Sequence, residues 1–75
     1  MPREDPDPGQ VVVHLDSLLT ENGMTLTELA ALTGITTANL SILKNGHAKA
    51  IRLSTLTAIC GALGCTPGEL LSLRE

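Results

Sequence analysis

Residues 26–45, with the sequence LTELAALTGITTANLSILKN, constrain the fold of this chain more than any other stretch. Thr25 stands three residues before Glu28, which is the spacing of a capping box, where each side chain bonds the other residue's backbone amide at a helix start. Gly34 follows the apolar pattern and can adopt the left-handed conformation that ends a helix. Thr36 then provides the cap of a second helix. The stretch therefore predicts two short helices joined by a tight turn.

The apolar spacing indicates which side of each predicted helix faces the core. Leu26, Leu29 and Leu32 are three residues apart, so we expect them to share one face of the first helix. In the second helix, Leu40 and Leu43 are expected to face inward. At about 100° per residue, the opposite side of this helix is small and polar and carries no carboxylate. The members of that side are Ala38, Ser41, Ile42 and Asn45.

The rest of the sequence predicts three further helices. One covers residues 15–22, and another covers residues 53–63, where apolar residues recur at the i, i+3, i+4, i+7 spacing. Thr66 and Glu69 form a second capping box, which begins a last helix over residues 67–72. The core positions expected in the first two of these helices are Leu15, Leu18, Leu19, Leu56, Ile59, Cys60 and Leu63.

The N-terminal segment differs in character from the remainder. Residues 1–10 contain three prolines and four charged residues, which predicts a disordered tail before one domain over residues 11–75. The β-branched run Val11–Val13 leaves two interpretations open. It either forms a short β-strand that pairs with residues 50–53, or it begins the first helix.

The segment LTELAALTGITTANLSILKNG resembles the helix-turn-helix of the Cro/lambda-repressor-like family of bacterial and phage transcription regulators. With its flanking segments, the resemblance covers residues 11–73. It implies an all-α, compact five-helix lambda-repressor-like DNA-binding domain, in which the second motif helix lies in the major groove and the first crosses the DNA backbone. Many members carry glutamine at the first or second position of the first motif helix, whereas this chain has Leu26 and Thr27.

Carried over position by position, the resemblance implies which residues contact DNA. Those expected to meet base edges are Thr37, Ala38, Asn39, Ser41 and Ile42. Those expected to meet phosphates, at helix N-termini or in and after the second motif helix, are Thr25, Thr27, Thr36, Lys44, Asn45, Lys49 and Arg52. Simpler alternatives stay open, because Ile42 can pack on Val11–Val13 or Ile51, and helix capping alone explains Thr25 and Thr36.

The charge distribution bears on the partner. The formal net charge is −3, yet residues 29–68 contain no acid while carrying Lys44, Lys49 and Arg52. This predicts a modest local positive field, so DNA affinity should also depend on shape and backbone amides. The chain has no Phe, Tyr or Trp, which removes the aromatic side chains on which single-stranded nucleic acids stack. Double-stranded DNA needs none.

The sequence offers little for catalysis or metal binding. His14 and His47 are far apart, and Cys60 and Cys65 lack a nearby second pair of ligands. No Gly-rich phosphate loop or G-x-S-x-G pattern appears, so we expect no enzymatic activity, no metal site and no cofactor. The sequence has only two cysteines and shows neither a signal peptide nor a long apolar stretch. These features predict a cytoplasmic protein that is not in a membrane.

The sequence therefore predicts a DNA-binding repressor that binds double-stranded DNA as a homodimer. The dimer contacts are expected from Leu70, Leu71 and Leu73, or from strand pairing through Val11–Val13. The alternative is a protein-interaction module of the same fold, antitoxin-like or anti-repressor, whose partner is another polypeptide. Net acidity and the missing glutamine favour that alternative.

Overall fold

The computed structural model describes residues 11–74, which form five helices and a two-stranded sheet. In chain order the elements are β1 (Val11–Val13), α1 (Leu15–Glu21), α2 (Leu26–Thr33), α3 (Thr37–Lys44), α4 (Leu53–Leu63), α5 (Pro67–Leu70) and β2 (Leu71–Leu73). The five-helix prediction and the short N-terminal strand are confirmed. The tail predicted for residues 1–10 lies outside the described residues.

All five helices contribute to one aliphatic core. The buried side chains are Leu15, Leu18, Leu19, Leu29, Leu40, Leu43, Ile59, Cys60, Leu63 and Leu70. α2 packs against both α3 and α4, so it lies at the centre of the assembly. The predicted core positions of α1, α3 and α4 are confirmed, with Leu56 partly buried against this core. Burying each such side chain stabilises the fold by about 1.5–3 kcal/mol.

The prediction that Leu32 faces the core is wrong, because this side chain is 65% exposed. The buried or half-buried stripe of α2 follows the i, i+3, i+4, i+7 spacing. Its members are Leu26, Leu29, Ala30 and Thr33. Thr33 tolerates partial burial because its hydroxyl donates to the carbonyl oxygen of Leu29 at 2.8 Å. The three-residue spacing of the leucines alone placed the predicted face on the side of Leu32, whereas the packed face includes Thr33.

The two ends of the domain pair with each other. β1 and β2 are antiparallel, with the register Val11 to Leu73, Val12 to Ser72 and Val13 to Leu71. The predicted strand partner, residues 50–53, is wrong because Arg52 is the N-cap of α4 and Leu53 its first residue. The predicted helix over residues 67–72 is too long, because residues 71–73 form the strand β2 that pairs with β1. The amide of His14 continues this pairing by donating to the Leu70 carbonyl at 2.7 Å.

The predicted capping boxes are both present. In α5, the Thr66 amide donates to Glu69 Oε1 at 2.8 Å, and the Glu69 amide donates to Thr66 Oγ1 at 3.2 Å. The same exchange begins α2. Local capping therefore fixes where these helices begin. None of the helices within residues 11–74 is long and apolar enough to cross a membrane.

Candidate nucleic-acid interface

A three-residue turn, residues 34–36, sets the angle between α2 and α3. Gly34 has φ of 74° and ψ of 8°, in the left-handed region where a side chain would be strained. The Thr33 hydroxyl, which donates to Leu29, also accepts from the amide of Ile35 at 3.2 Å. The Thr33 side chain thus connects the last helical turn of α2 to the segment that leads into α3. No pattern in the sequence pointed to this role of Thr33.

The N-termini of α2 and α3 differ in what occupies them. At α2, the Glu28 carboxylate accepts from the Thr25 amide at 3.0 Å, so a negative group already stands there. At α3, Thr36 Oγ1 accepts from the Asn39 amide at 3.1 Å, and the first turn contains no acidic residue. Helix N-termini attract anions through free amides and the helix dipole. The start of α3 is therefore the more favourable of the two for a phosphate.

α3 presents one exposed face opposite its two buried leucines. Its exposed members are Thr37, Ala38, Asn39, Ile42 and Asn45, and the half-buried Ser41 lies beside them. Ile42 is 46% exposed and does not pack into the core, which argues against the alternative that Val11–Val13 or Ile51 buries it. Asn45 Nδ2 donates to Ser41 Oγ at 3.3 Å, so the Ser41 hydroxyl keeps its own proton for another acceptor.

A groove of about 600 Å³ runs along one flank of α3. We call it the basic groove and define it by Thr36, Asn39 and Ile42 on the α3 wall and by His47, Lys49 and Arg52 on the opposite wall. Lys49 and Arg52 give this lining positive charge, and the lining among the described residues contains no carboxylate. The exposed face of α3 is thus bordered by a concave, positively charged surface.

The geometry is that of a helix-turn-helix that presents its second helix to solvent. The family model for the Cro/C1-type HTH DNA-binding domain matches residues 14–75. The chain belongs to this family. A protein named as an uncharacterized HTH-type transcriptional regulator, YozG of Bacillus subtilis (strain 168), is 58% identical over 65 residues, which cover 87% of this chain and 77% of that protein.

The opposite flank of α3 in this Cro/C1-type domain meets α1. Lys44 Nζ lies 3.9 Å from Asp16 Oδ1, and the carboxylate is well exposed. A solvent-exposed ion pair of this kind contributes about 0–1 kcal/mol to stability. Lys44 is therefore held near α3 by a weak contact and faces a carboxylate that competes with any phosphate.

The structure brings together part of the predicted phosphate and base set. Thr36, Asn39, Ile42, Lys49 and Arg52 all line the basic groove. The positions of the other predicted residues fall into three groups. Thr37, Ala38 and Ser41 lie on α3 outside the groove, Lys44 and Asn45 lie at the C-terminal end of α3, and Thr25 and Thr27 are exposed at the start of α2.

Two polar residues that line the groove were not in the predicted set, His47 and Thr55. Gly46, with φ of 74°, turns the chain back so that the His47 amide donates to the Ile42 carbonyl at 2.9 Å. The Asn45-Gly46 pair was the sequence signal for that turn. No sequence signal marks Thr55, which reaches the groove only because α4 packs beside the turn.

The two thiols lie at the other end of α4, away from this surface. The Cys65 amide donates to the Cys60 carbonyl at 3.0 Å after the left-handed Gly64, a helix ending that brings these two side chains together. Burial, followed by the hydrogen bond and charge of Cys60, raises the pKa of the Cys65 thiol to about 11. This thiol is therefore protonated at neutral pH and is a poor nucleophile.

Proposed function

We propose that this protein is a DNA-binding transcriptional repressor that inserts α3 into the major groove. The observation that carries the proposal is the exposed, carboxylate-free face of α3 bordered by the basic groove. The major groove of B-DNA is about 12 Å wide and admits an α-helix. The residues proposed to meet base edges are Thr37, Ala38, Asn39, Ser41 and Ile42.

Phosphate contacts flank the inserted helix in this proposal. Lys49 and Arg52 meet one DNA strand from the basic groove, while Lys44 meets the backbone on the other flank of α3. The amides at the start of α3, capped by Thr36, add contacts that need no further cation. The full proposed phosphate set is Thr25, Thr27, Thr36, Lys44, Asn45, Lys49 and Arg52. Phosphate contacts position the protein, and base contacts specify the sequence.

The proposed assembly is a homodimer on a near-palindromic operator, with half-sites about 34 Å apart. Leu70 is 1% exposed, so the expectation that it contributes to the dimer contact is wrong. Leu73 is 73% exposed and pairs with the exposed Val11 in the sheet of β1 and β2. We call this two-stranded sheet the ribbon, and its end at Val11 and Leu73 is the proposed dimer contact. The proposal places the protein in the cytoplasm, where its DNA partner lies.

The proposal is tested by a gel-shift series on random and operator duplexes over a range of salt concentrations. The cations Lys44, Lys49 and Arg52 neutralise about six phosphates in a dimer, which predicts a log–log slope near −5. We expect the double variant Lys49→Ala, Arg52→Ala to weaken binding to all sequences and to make the slope shallower. The charge-matched comparison is Arg52→Ala with Arg74→Ala, because the second removes the same single charge from outside the basic groove.

Absence of salt-dependent binding at low ionic strength would contradict this function. It would favour the alternative, a protein-interaction module of the same fold. A specific observation supports that alternative, since Leu32 and Leu53 are both largely exposed and supply apolar contacts for another polypeptide.

A further inference from the structure

The exposed face of α3 lacks the side chains that read guanine and cytosine most sharply. Arginine and lysine bond guanine O6 and N7, and carboxylates accept from cytosine N4. The only charged residue in the sequence of α3 is Lys44, at its C-terminal end and 3.9 Å from the Asp16 carboxylate. Base-reading residues lie near the N-terminal end of a recognition helix. The base-reading end of α3 therefore lacks the charged side chains that make the strongest contacts with G·C pairs.

The same face offers methyl groups instead. Ile42 is 46% exposed, and Ala38 lies one turn earlier on the same side of the helix. Apolar side chains in the major groove contact the C5 methyl of thymine, a group that no other DNA base carries. Because Ile42 also borders the basic groove, its side chain is next to the surface that receives the phosphates.

The polar neighbours of Ile42 can also bond A·T pairs, and Asn39 is the one that prefers them. Ser41 accepts from Asn45 Nδ2, so its hydroxyl proton is available to an acceptor such as thymine O4. Asn39 is exposed on the other side of Ile42 and carries the amide that bonds adenine N6 and N7. A methyl contact, a hydroxyl donor and a carboxamide thus stand side by side. All three match A·T pairs.

We infer that α3 selects A·T-rich half-sites by contacting thymine C5 methyl groups, with Ile42 as the specificity-determining residue. This inference rests on the proposed insertion of α3 into the major groove. It adds the class of base that the helix recognises and the chemical group that it reads.

The test removes the methyl groups and nothing else. Duplexes are first selected from a random pool with the full-length protein, and each thymine of the selected core is then replaced by deoxyuridine. We expect the selected cores to be rich in A·T pairs and the affinity to fall about fourfold for each contacted methyl, since that is the effect of burying one methyl group. The salt slope should stay unchanged, because no phosphate contact is altered.

Variants of the protein assign the effect to one side chain. Ile42→Ala is expected to bind the thymine and deoxyuridine duplexes equally, and Ile42→Val is expected to retain part of the difference. Leu32→Ala is the matched control, because it shortens an exposed apolar side chain on α2 and should keep the full difference.

The outcomes separate this inference from the function on which it rests. Equal affinity of the unsubstituted protein for thymine and deoxyuridine duplexes, or selected cores rich in G·C pairs, would overturn the inference while leaving DNA binding intact. A methyl effect that survives in Ile42→Ala would overturn the assignment of Ile42. Failure to bind any duplex at low salt would contradict the proposed function itself.

Discussion

Asp16 and Lys44 form an ion pair beside the proposed interface, and we expect it to oppose DNA binding. Their charged atoms are 3.9 Å apart in a solvent-exposed pair, so the contact adds at most about 1 kcal/mol to stability. A DNA phosphate approaching Lys44 meets the carboxylate as well. We therefore expect Asp16 to weaken DNA binding while adding little to the stability of the fold.

Replacing the carboxylate tests this balance. We expect Asp16→Asn to tighten binding to all duplexes by about two- to threefold at low salt, while the midpoint of thermal unfolding stays nearly constant. The gain should shrink as salt rises, because the Debye length is about 10 Å at 0.1 M. Glu21→Gln removes the same charge from the other end of α1 and serves as control. Equal gains in both variants would mean that net charge alone, and not the position of Asp16, is responsible.

Among the helices and strands, the helix ends set by neighbouring residues were predictable from the sequence. The strand pairing, which joins residues far apart in the chain, was not. The Thr25 and Thr66 capping boxes and the left-handed Gly34 fix helix ends through neighbours in the chain. By contrast, residues 50–53 and residues 71–73 are both short apolar segments, and only the packed fold selects the latter for β1. Nothing local distinguishes the two.

The candidate site also has one part that was predictable from the sequence and one that was not. The exposed side of α3 follows from helix periodicity, and Ala38 and Ile42 were expected on it. The basic groove was not predictable as a shape, because its second wall is the segment between α3 and α4 folded back over Leu43. The DNA contacts of both walls remain predictions.

The two hydrogen bonds of the Thr33 hydroxyl, to the Leu29 carbonyl and from the Ile35 amide, give a test of the turn between α2 and α3. Thr33→Val keeps the shape of the side chain but leaves the Ile35 amide without its hydroxyl acceptor. We expect a loss of about 1 kcal/mol in the free energy of unfolding, or about 4–8 °C in the unfolding midpoint measured by circular dichroism. Thr27→Val makes the same substitution on the exposed side of α2 and should change stability by less than about 0.5 kcal/mol. Equal losses would show that removing any threonine hydroxyl from α2 has this cost, and that the hydrogen bond to the Ile35 amide is not responsible.

In the whole molecule, the described acidic residues and the cations of the basic groove lie in different segments of the chain. The described acidic residues, Asp16, Glu21, Glu28 and Glu69, lie outside residues 29–68, and the cations of the basic groove lie within that span. A negative protein therefore offers DNA a positive surface. A domain of this size buries only about 60% of its unfolded surface, so a second subunit adds useful burial.

The ribbon formed by β1 and β2 is where that second subunit is tested. Leu73 is 73% exposed at the end of β2, and Leu53 is 78% exposed at the start of α4, which makes the two leucines a matched pair. We expect sedimentation equilibrium to show a dimer that Leu73→Asp dissociates and Leu53→Asp preserves, because a carboxylate is costly only in a buried contact. The dissociated variant should also unfold at a lower temperature, since subunit association stabilises the folded state. A dimer that survives Leu73→Asp but dissociates with Leu53→Asp would move the contact to α4, and a monomer that binds a near-palindromic operator would remove the ribbon contact from the proposal.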